Sequence, residues 1–262
     1  AGIPKRIGHT YPLFGRETKL LLTDPIAENP TLHDIEQNLN LLTLLTSSGL
    51  QPASPSQGEA PLLTKERSTL SEVGEVHYSL SIPLSAQKRA DDLISKLDIP
   101  TSKHLAGFHA GSAPNFLWKR WPRKYWVELG QLLIEKNYHV LIFGGPDEIK
   151  LKRKLHARLN KDSTVVESDL ITTAAVMQKC ELFVSNDSGL MHIAAATGVK
   201  TFGLFGPTDE RQTGPRGEQS FVIRAPGTEP VYHTEKNFDL GNKPHETLRA
   251  LEPAYVFERI FS

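Results

Sequence analysis

Residues 185–215 read SNDSGLMHIAAATGVKTFGLFGPTDERQTGP. Ser185 closes the apolar run ELFVS (181–185), Asn186 to Gly189 make a turn, and Leu190 continues a helical pattern over 189–197. KTFGLF (200–205) is a second buried strand, after which Gly206 and Pro207 force another turn. Small residues at the first turn leave the opening amides of the helix uncovered. Such amides, at the positive end of the helix dipole, attract anions. A plainer reading makes Asp187 or Ser188 an ordinary N-cap. His192 lies one turn in, on a face that can look toward the same ligand.

The rhythm extends upstream. LAGFH (105–109), HVLIF (139–143) and TVVE (164–167) are further short apolar runs, with helical patterns at 123–136, 147–159 and 172–179. Strands alternating with helices imply a parallel sheet covered on both faces, which binds ligands beyond the carboxyl ends of its strands. Asp98-Ile99-Pro100-Thr101 reads as a linker, dividing the chain into 1–100 and 101–262. Before it, residues 32–48 make an amphipathic helix, 51–61 a surface loop and 76–82 an alternating strand, followed by a short helix ending near Leu97.

Composition excludes several classes of function. Formal net charge is +0, which gives no global electrostatic case for nucleic acid. Any anion site must be local. The single cysteine, Cys180, rules out a disulfide framework and fits a reducing compartment, so cytoplasm is expected. No apolar run approaches the roughly 20 residues of a membrane span. The sequence opens on Ala1 in a loop-like stretch, which leads us to expect a fragment.

Three more constellations lie at strand ends. HAGSAPNFLWKRWPRKYW (109–126) crowds Lys119, Arg120, Arg123 and Lys124 at a helix start, where the dipole disfavours cations. A solvated basic face is one reading; a phosphate site with Lys119 as its cation, opened by Gly111 and Ser112, is the other. Trp121 is expected beneath the helix. In FGGPDE (143–148), Asp147 either caps the next helix, the reading we favour, or accepts from a ribose hydroxyl. In FGPTDE (205–210), Thr208, Asp209 or Glu210 either meet a sugar or face solvent. No G-x-G-x-x-G follows a strand, no P-loop lysine occurs and no His/Cys spacing suits a metal. Phosphate charge would fall to Lys119 and backbone amides, with no metal.

The pairing of HAGSAP…KRWP with SNDSGLMHIAAATGVKTFGLFGPTD…TGP resembles the ADP-heptose:lipopolysaccharide heptosyltransferases, glycosyltransferase family 9, over essentially all of 103–215. The resemblance implies an α/β fold of GT-B type, in which two Rossmann-like domains with parallel sheets face a cleft. Residues 1–100 would then be an acceptor-side domain lacking its first half, and 101–262 a donor domain ending in a C-terminal helix. It further implies inverting, metal-independent transfer of heptose from ADP-heptose, the donor substrate, to the lipopolysaccharide core, by a cytoplasmic protein in peripheral contact with the inner membrane. No cofactor is expected. By resemblance Lys119 is the catalytic, phosphate-contacting lysine. Asp187, Ser188, Gly189, Leu190 and His192 form the donor-binding helix start, Ser112 lies near the diphosphate and Asp147 near the nucleoside. The tail at 231–244 lacks the cysteines of many relatives, and nothing matches the Gly-Asp loop whose carboxylate serves the family as base. Competing expectations are a non-catalytic or truncated nucleotide-sugar module, a GT-B epimerase and a Rossmann oxidoreductase.

Overall fold

The computed structural model describes residues 7–10, 24–27, 62–67 and 76–262, apart from 98, 114 and 233–239. The helix expected over 32–48 and the loop over 51–61 lie outside the described residues. Four strands precede the main body: β1 (Ile7–Thr10) pairs parallel with β2 (Asp24–Ala27), and β3 (Leu62–Arg67) pairs antiparallel with β4 (Val76–Ser81). The antiparallel pair departs from the all-parallel sheet expected of this half. Its cause is the short segment 68–75, which cannot hold the crossover that parallel neighbours need.

The main body is one six-stranded sheet of β5 (His104–His109), β6 (Tyr138–Ile142), β7 (Ser163–Val165), β8 (Leu182–Asn186), β9 (Lys200–Phe205) and β10 (Ser220–Arg224). Spatial order is β10-β9-β8-β5-β6-β7, with every neighbouring pair parallel. The first three strands build outward to one side and the last three to the other. At the reversal, between β5 and β8, the loops leaving the two carboxyl ends part and open a crevice.

Helices cover both faces. On one side α2 (Arg123–Glu135), α3 (Ile149–Leu159) and α8 (Pro253–Phe261) bury Trp126, Leu129, Leu133, Leu155, Val256 and Ile260 in a common cluster. On the other, α1 (Leu84–Lys96), α4 (Leu170–Met177) and α5 (Gly189–Ala196) bury Ala86, Ala90, Met177 and Ala194 against Phe183 and Val199. The two faces explain why the strands read as unbroken apolar runs: all five residues of β6 are buried. Trp121 is sealed beneath α2 as expected, its indole N–H donating to the Leu251 carbonyl at 2.8 Å and its ring meeting Trp126 edge-on at 5.3 Å.

Some boundaries shift for identifiable reasons. The fourth helix starts at Leu170 rather than 172, because the Asp169 carboxylate accepts from the Thr172 amide at 2.9 Å and from its hydroxyl at 2.6 Å. Edge strand β10 is an addition to the sequence reading, as are α6 (Glu210–Thr213) and α7 (Glu246–Arg249). SFVIR is too exposed to carry a clear apolar pattern, Ile223 alone being buried.

Candidate functional site

The crevice holds a cleft of about 860 Å³, near the upper end of the usual range for small-molecule sites. Its walls come from four strand ends: His109 at the end of β5 with Ser112 and Lys119 beyond it, Gly144 to Glu148 after β6, Ser168 to Leu170 after β7, and Asp187 to Leu190 with His192 after β8. Thr213 closes one edge.

The bend after β8 is built by Asn186, which is fully buried. Its side-chain oxygen accepts from the Trp121 amide at 2.9 Å and its NH₂ donates to the Gly111 carbonyl at 3.1 Å, so the bend is clipped to the 111–121 loop. Ser188 has extended backbone and is the N-cap of α5, accepting from the Met191 amide at 3.4 Å. Of the two candidate caps it is therefore Ser188, not Asp187, that performs the task. Gly189 is exposed, with nothing within 4 Å of where a Cβ would stand. With the Met191 amide taken by Ser188, it is the Gly189 and Leu190 end of the first turn that lines the cleft.

Asp187 is 6 % exposed and takes Lys119 instead, whose ammonium donates to Oδ2 at 2.9 Å. The Thr213 hydroxyl donates to the same oxygen at 3.2 Å. The Phe116 and Trp118 rings flank Lys119 at 5.4 and 5.6 Å. An ammonium carries three N–H groups, and one goes to Asp187. The carboxylate thus fixes where the lysine points while donors remain for a ligand.

The basic cluster separates into distinct roles. Lys119 faces the cleft, whereas Arg123 and Lys124 are exposed at the α2 start, as the solvated-face reading holds for them. Arg120 braces the loop, donating to the Ser112 carbonyl at 2.6 Å and to its Oγ at 3.1 Å. The Ser112 hydroxyl itself donates to the Phe116 carbonyl at 2.8 Å. It serves the loop's shape and does not offer its proton to the cleft.

On the opposite wall the expected cap moves by one residue. Asp147 is exposed and lines the cleft, while Glu148 reaches back to accept from the Gly145 amide at 3.0 Å. Capping by Asp147 is thereby overturned: the turn 146–148 is a single 3-10 turn, and its third residue is the one that folds back. Gly144, at φ +151°, supplies the bend. Buried Lys152 holds it in place, donating to the Gly144 carbonyl at 3.0 Å and the Val166 carbonyl at 3.2 Å.

Two residues in the cleft floor were not candidates from sequence. His109 and Glu148 are 3 % and 8 % exposed and meet through Nε2 and Oε2 at 3.0 Å, while His109 Nδ1 lies 2.8 Å from Ser188 Oγ. Burial alone would raise the Glu148 carboxyl. The His109 contact, the Gly145 amide and the Arg120 guanidinium outweigh it and hold the group below its ordinary value. Burial pushes the His192 imidazole down; Asp187 opposes this, and Lys119 and Arg216 add to it. A histidine ending a buried parallel strand and an acid in the turn after the next strand were the available signals; their adjacency is set by sheet order, which spacing does not encode.

The loop after β9 contributes only Thr213 to the cleft. Asp209 caps α6 and binds Arg211, Glu210 binds Arg224, and Thr208 is buried. Among the described residues no group of three His, Cys, Asp or Glu side chains is placed to hold a metal, and no helix is long and apolar enough to cross a membrane.

A parallel sheet of this order, covered by helices on both faces and with a crevice at its reversal, defines a Rossmann-like domain. The sequence pattern of glycosyltransferase family 9 (heptosyltransferase) matches residues 4–241, and the chain belongs to that family. It is 29 % identical over 176 residues to lipopolysaccharide heptosyltransferase 2 of Salmonella typhimurium, covering 65 % of this chain and 49 % of that one. The solved E. coli ADP-heptose lps heptosyltransferase II superposes with a TM-score of 0.64 at 22 % identity, over 99 % of this chain and 70 % of that one. An E. coli heptosyltransferase, WaaC, solved with ADP, gives 0.52 at 22 %, over 94 % and 61 %. The fold is thus that of the GT-B heptosyltransferases. The chain spans about half the length of the curated relatives it matches.

Proposed function

We propose that the chain binds ADP-heptose in the crevice between β5 and β8 and takes part in inverting, metal-independent transfer of the heptose to the lipopolysaccharide inner core. The observation that carries this reading is the Lys119 ammonium, 2.9 Å from Asp187 at the uncovered start of α5. ADP leaves as an anion. Lys119 and the amides of Gly189 and Leu190 would stabilise the charge growing on its leaving oxygen, an effect worth roughly 3 kcal/mol per donor in other enzymes. Asp187 orients the lysine and Ser188 caps the helix. In this reading His192 and Leu190 line the diphosphate side, and Asp147, exposed in the cleft wall beside Gly145, is assigned to the nucleoside.

In this reading 101–262 is the donor domain and 1–100 belongs to the acceptor side, its last helix α1 packing back on the donor domain's core. The acceptor is a membrane-borne saccharide, so peripheral contact with the inner face of the inner membrane follows; nucleic acid has no part. A thermal-shift series with ADP, UDP and GDP, alongside an assay of heptosyl transfer from ADP-heptose, tests the proposal. A shift largest for ADP, with heptose delivered to a core acceptor, is expected. Equal or absent shifts for the three nucleotides would refute it.

A further inference from the structure

We propose that His109 and Glu148 are positioning residues for the donor's diphosphate, acting through Ser188 on the first turn of α5. The inference rests on the donor reading above and names residues outside it. Glu148 Oε2, His109 Nε2, His109 Nδ1 and Ser188 Oγ form a continuous chain with separations of 3.0 and 2.8 Å. It runs across the loop after β6, the end of β5 and the bend after β8, three neighbouring strands at the sheet's reversal.

An ionised Glu148 only accepts, so Nε2 carries a proton toward it, and with the imidazole neutral Nδ1 is the nitrogen that accepts the Ser188 hydroxyl. Ser188 oxygen then keeps lone pairs for the Met191 amide. Ser185 Oγ, 3.1 Å away, gives its own proton to the Asn186 carbonyl at 2.7 Å and does not compete. The result is a serine locked inward, with the backbone N–H groups of the helix start left as the groups presented to a ligand. Glu148 also accepts from the Gly145 amide, so one carboxylate ties the phosphate bend to the facing nucleoside wall.

Stability alone does not account for this arrangement. Glu148 Oε1 is buried with no hydrogen-bond partner, its nearest cation being Arg120 at 3.8 Å. It is closed in by the Gly111 backbone, where an added Cβ would stand 1.5 Å from it. A buried acceptor left unmade costs free energy, and a well-packed apolar side chain would hold the same space at less cost. The carboxylate's return is orientation of the imidazole.

Titration calorimetry with ADP on His109→Phe, Ser188→Ala, their double variant and Glu148→Gln, each checked for native circular dichroism, tests the inference. His109→Phe is expected to weaken ADP about tenfold, an effect of one lost positioning contact. Ser188→Ala should give a similar loss and the double variant no more than the larger single loss, because the two residues act in series. Glu148→Gln should stay within about threefold of the parent, its amide oxygen still accepting from Nε2. Additive losses, or a folded His109→Phe that binds ADP like the parent, would overturn the relay. If His109→Phe does not fold, Glu148→Leu against Glu148→Gln decides: equal affinities refute it, and a loss confined to Leu supports it. A parent protein with no ADP isotherm instead removes the donor reading itself.

Discussion

Two neighbouring loops at the carboxyl edge of the sheet carry much the same chemistry and use it oppositely. After β8, Asp187 is bound by Lys119, 68 positions distant in sequence, across the reversal of the sheet. After β9, Asp209 is bound by Arg211 two positions on, and Glu210 by Arg224 on the next strand. The second set closes on itself: Arg224 donates to the carbonyls of Gly206 and Thr208 as well as to both carboxylate oxygens of Glu210, so most of its donors go to the loop. Bonding to Arg211 holds the Asp209 carboxyl below its ordinary value against the opposing pull of burial. Lys119 is aimed by its partner without being exhausted by it, and it lies in the cleft. Partner geometry, more than residue type, separates a brace from a binding group.

That contrast can be broken in either direction. The largest stability effect is expected for Arg224→Ala, which strands two carbonyls and a carboxylate. A loss of about 3 kcal/mol in urea unfolding, with ADP affinity unchanged in the folded protein, is the expected result. Lys119→Met should do the reverse where it matters. ADP affinity should fall between about tenfold and a hundredfold in calorimetry, the size of a lost charge-assisted hydrogen bond, while Arg211→Ala leaves the isotherm as it was. Because Lys119→Met alone leaves Asp187 buried and unpaired, the pair Lys119→Met/Asp187→Asn should recover thermal stability and still bind ADP weakly. Recovery of binding in the pair would make Lys119 a brace like Arg224.

Smaller effects sharpen the same picture. Gly111→Ala forces Glu148 aside and should cost about 1–2 kcal/mol of stability together with some ADP affinity. The least effect concerns pH. His192 has its folded pKa below 6.5, so the fold favours the neutral ring. Its contribution is complete above 6.5 and is lost as pH falls through 6.5 toward the folded value. Denaturation midpoints measured between pH 7.5 and pH 5, in roughly half-unit steps, should decline less in His192→Gln than in the parent. Glu148, also lowered, acts in the same direction but only below 4.5. Parallel declines in the two proteins would contradict this assignment.

Much of the sheet was legible because burial on both faces writes β5, β6, β8 and β9 as apolar runs and the joining helices repeat at 3.6. Lys119 and the Asn186–Gly189 bend were legible for the opposite reason: cations at a helix start and small residues at a turn run against local preference. Strand β10 lacks two buried faces, and Asp169 and Glu148 are acids whose capping geometry depends on a single residue of offset. His109 was hidden most thoroughly. At the end of an apolar strand it reads as core, and only the strand order brings it against Ser188 and Glu148.

The central claim is that a diphosphate sits where the loops after β5 and β8 converge. A crystal structure of the protein with ADP tests it directly. The β-phosphate should lie within roughly 3 Å of Lys119 Nζ and of the Gly189 or Leu190 amide, with no bridging metal. A diphosphate seated against the 206–213 loop, or anywhere out of reach of Lys119, would contradict it.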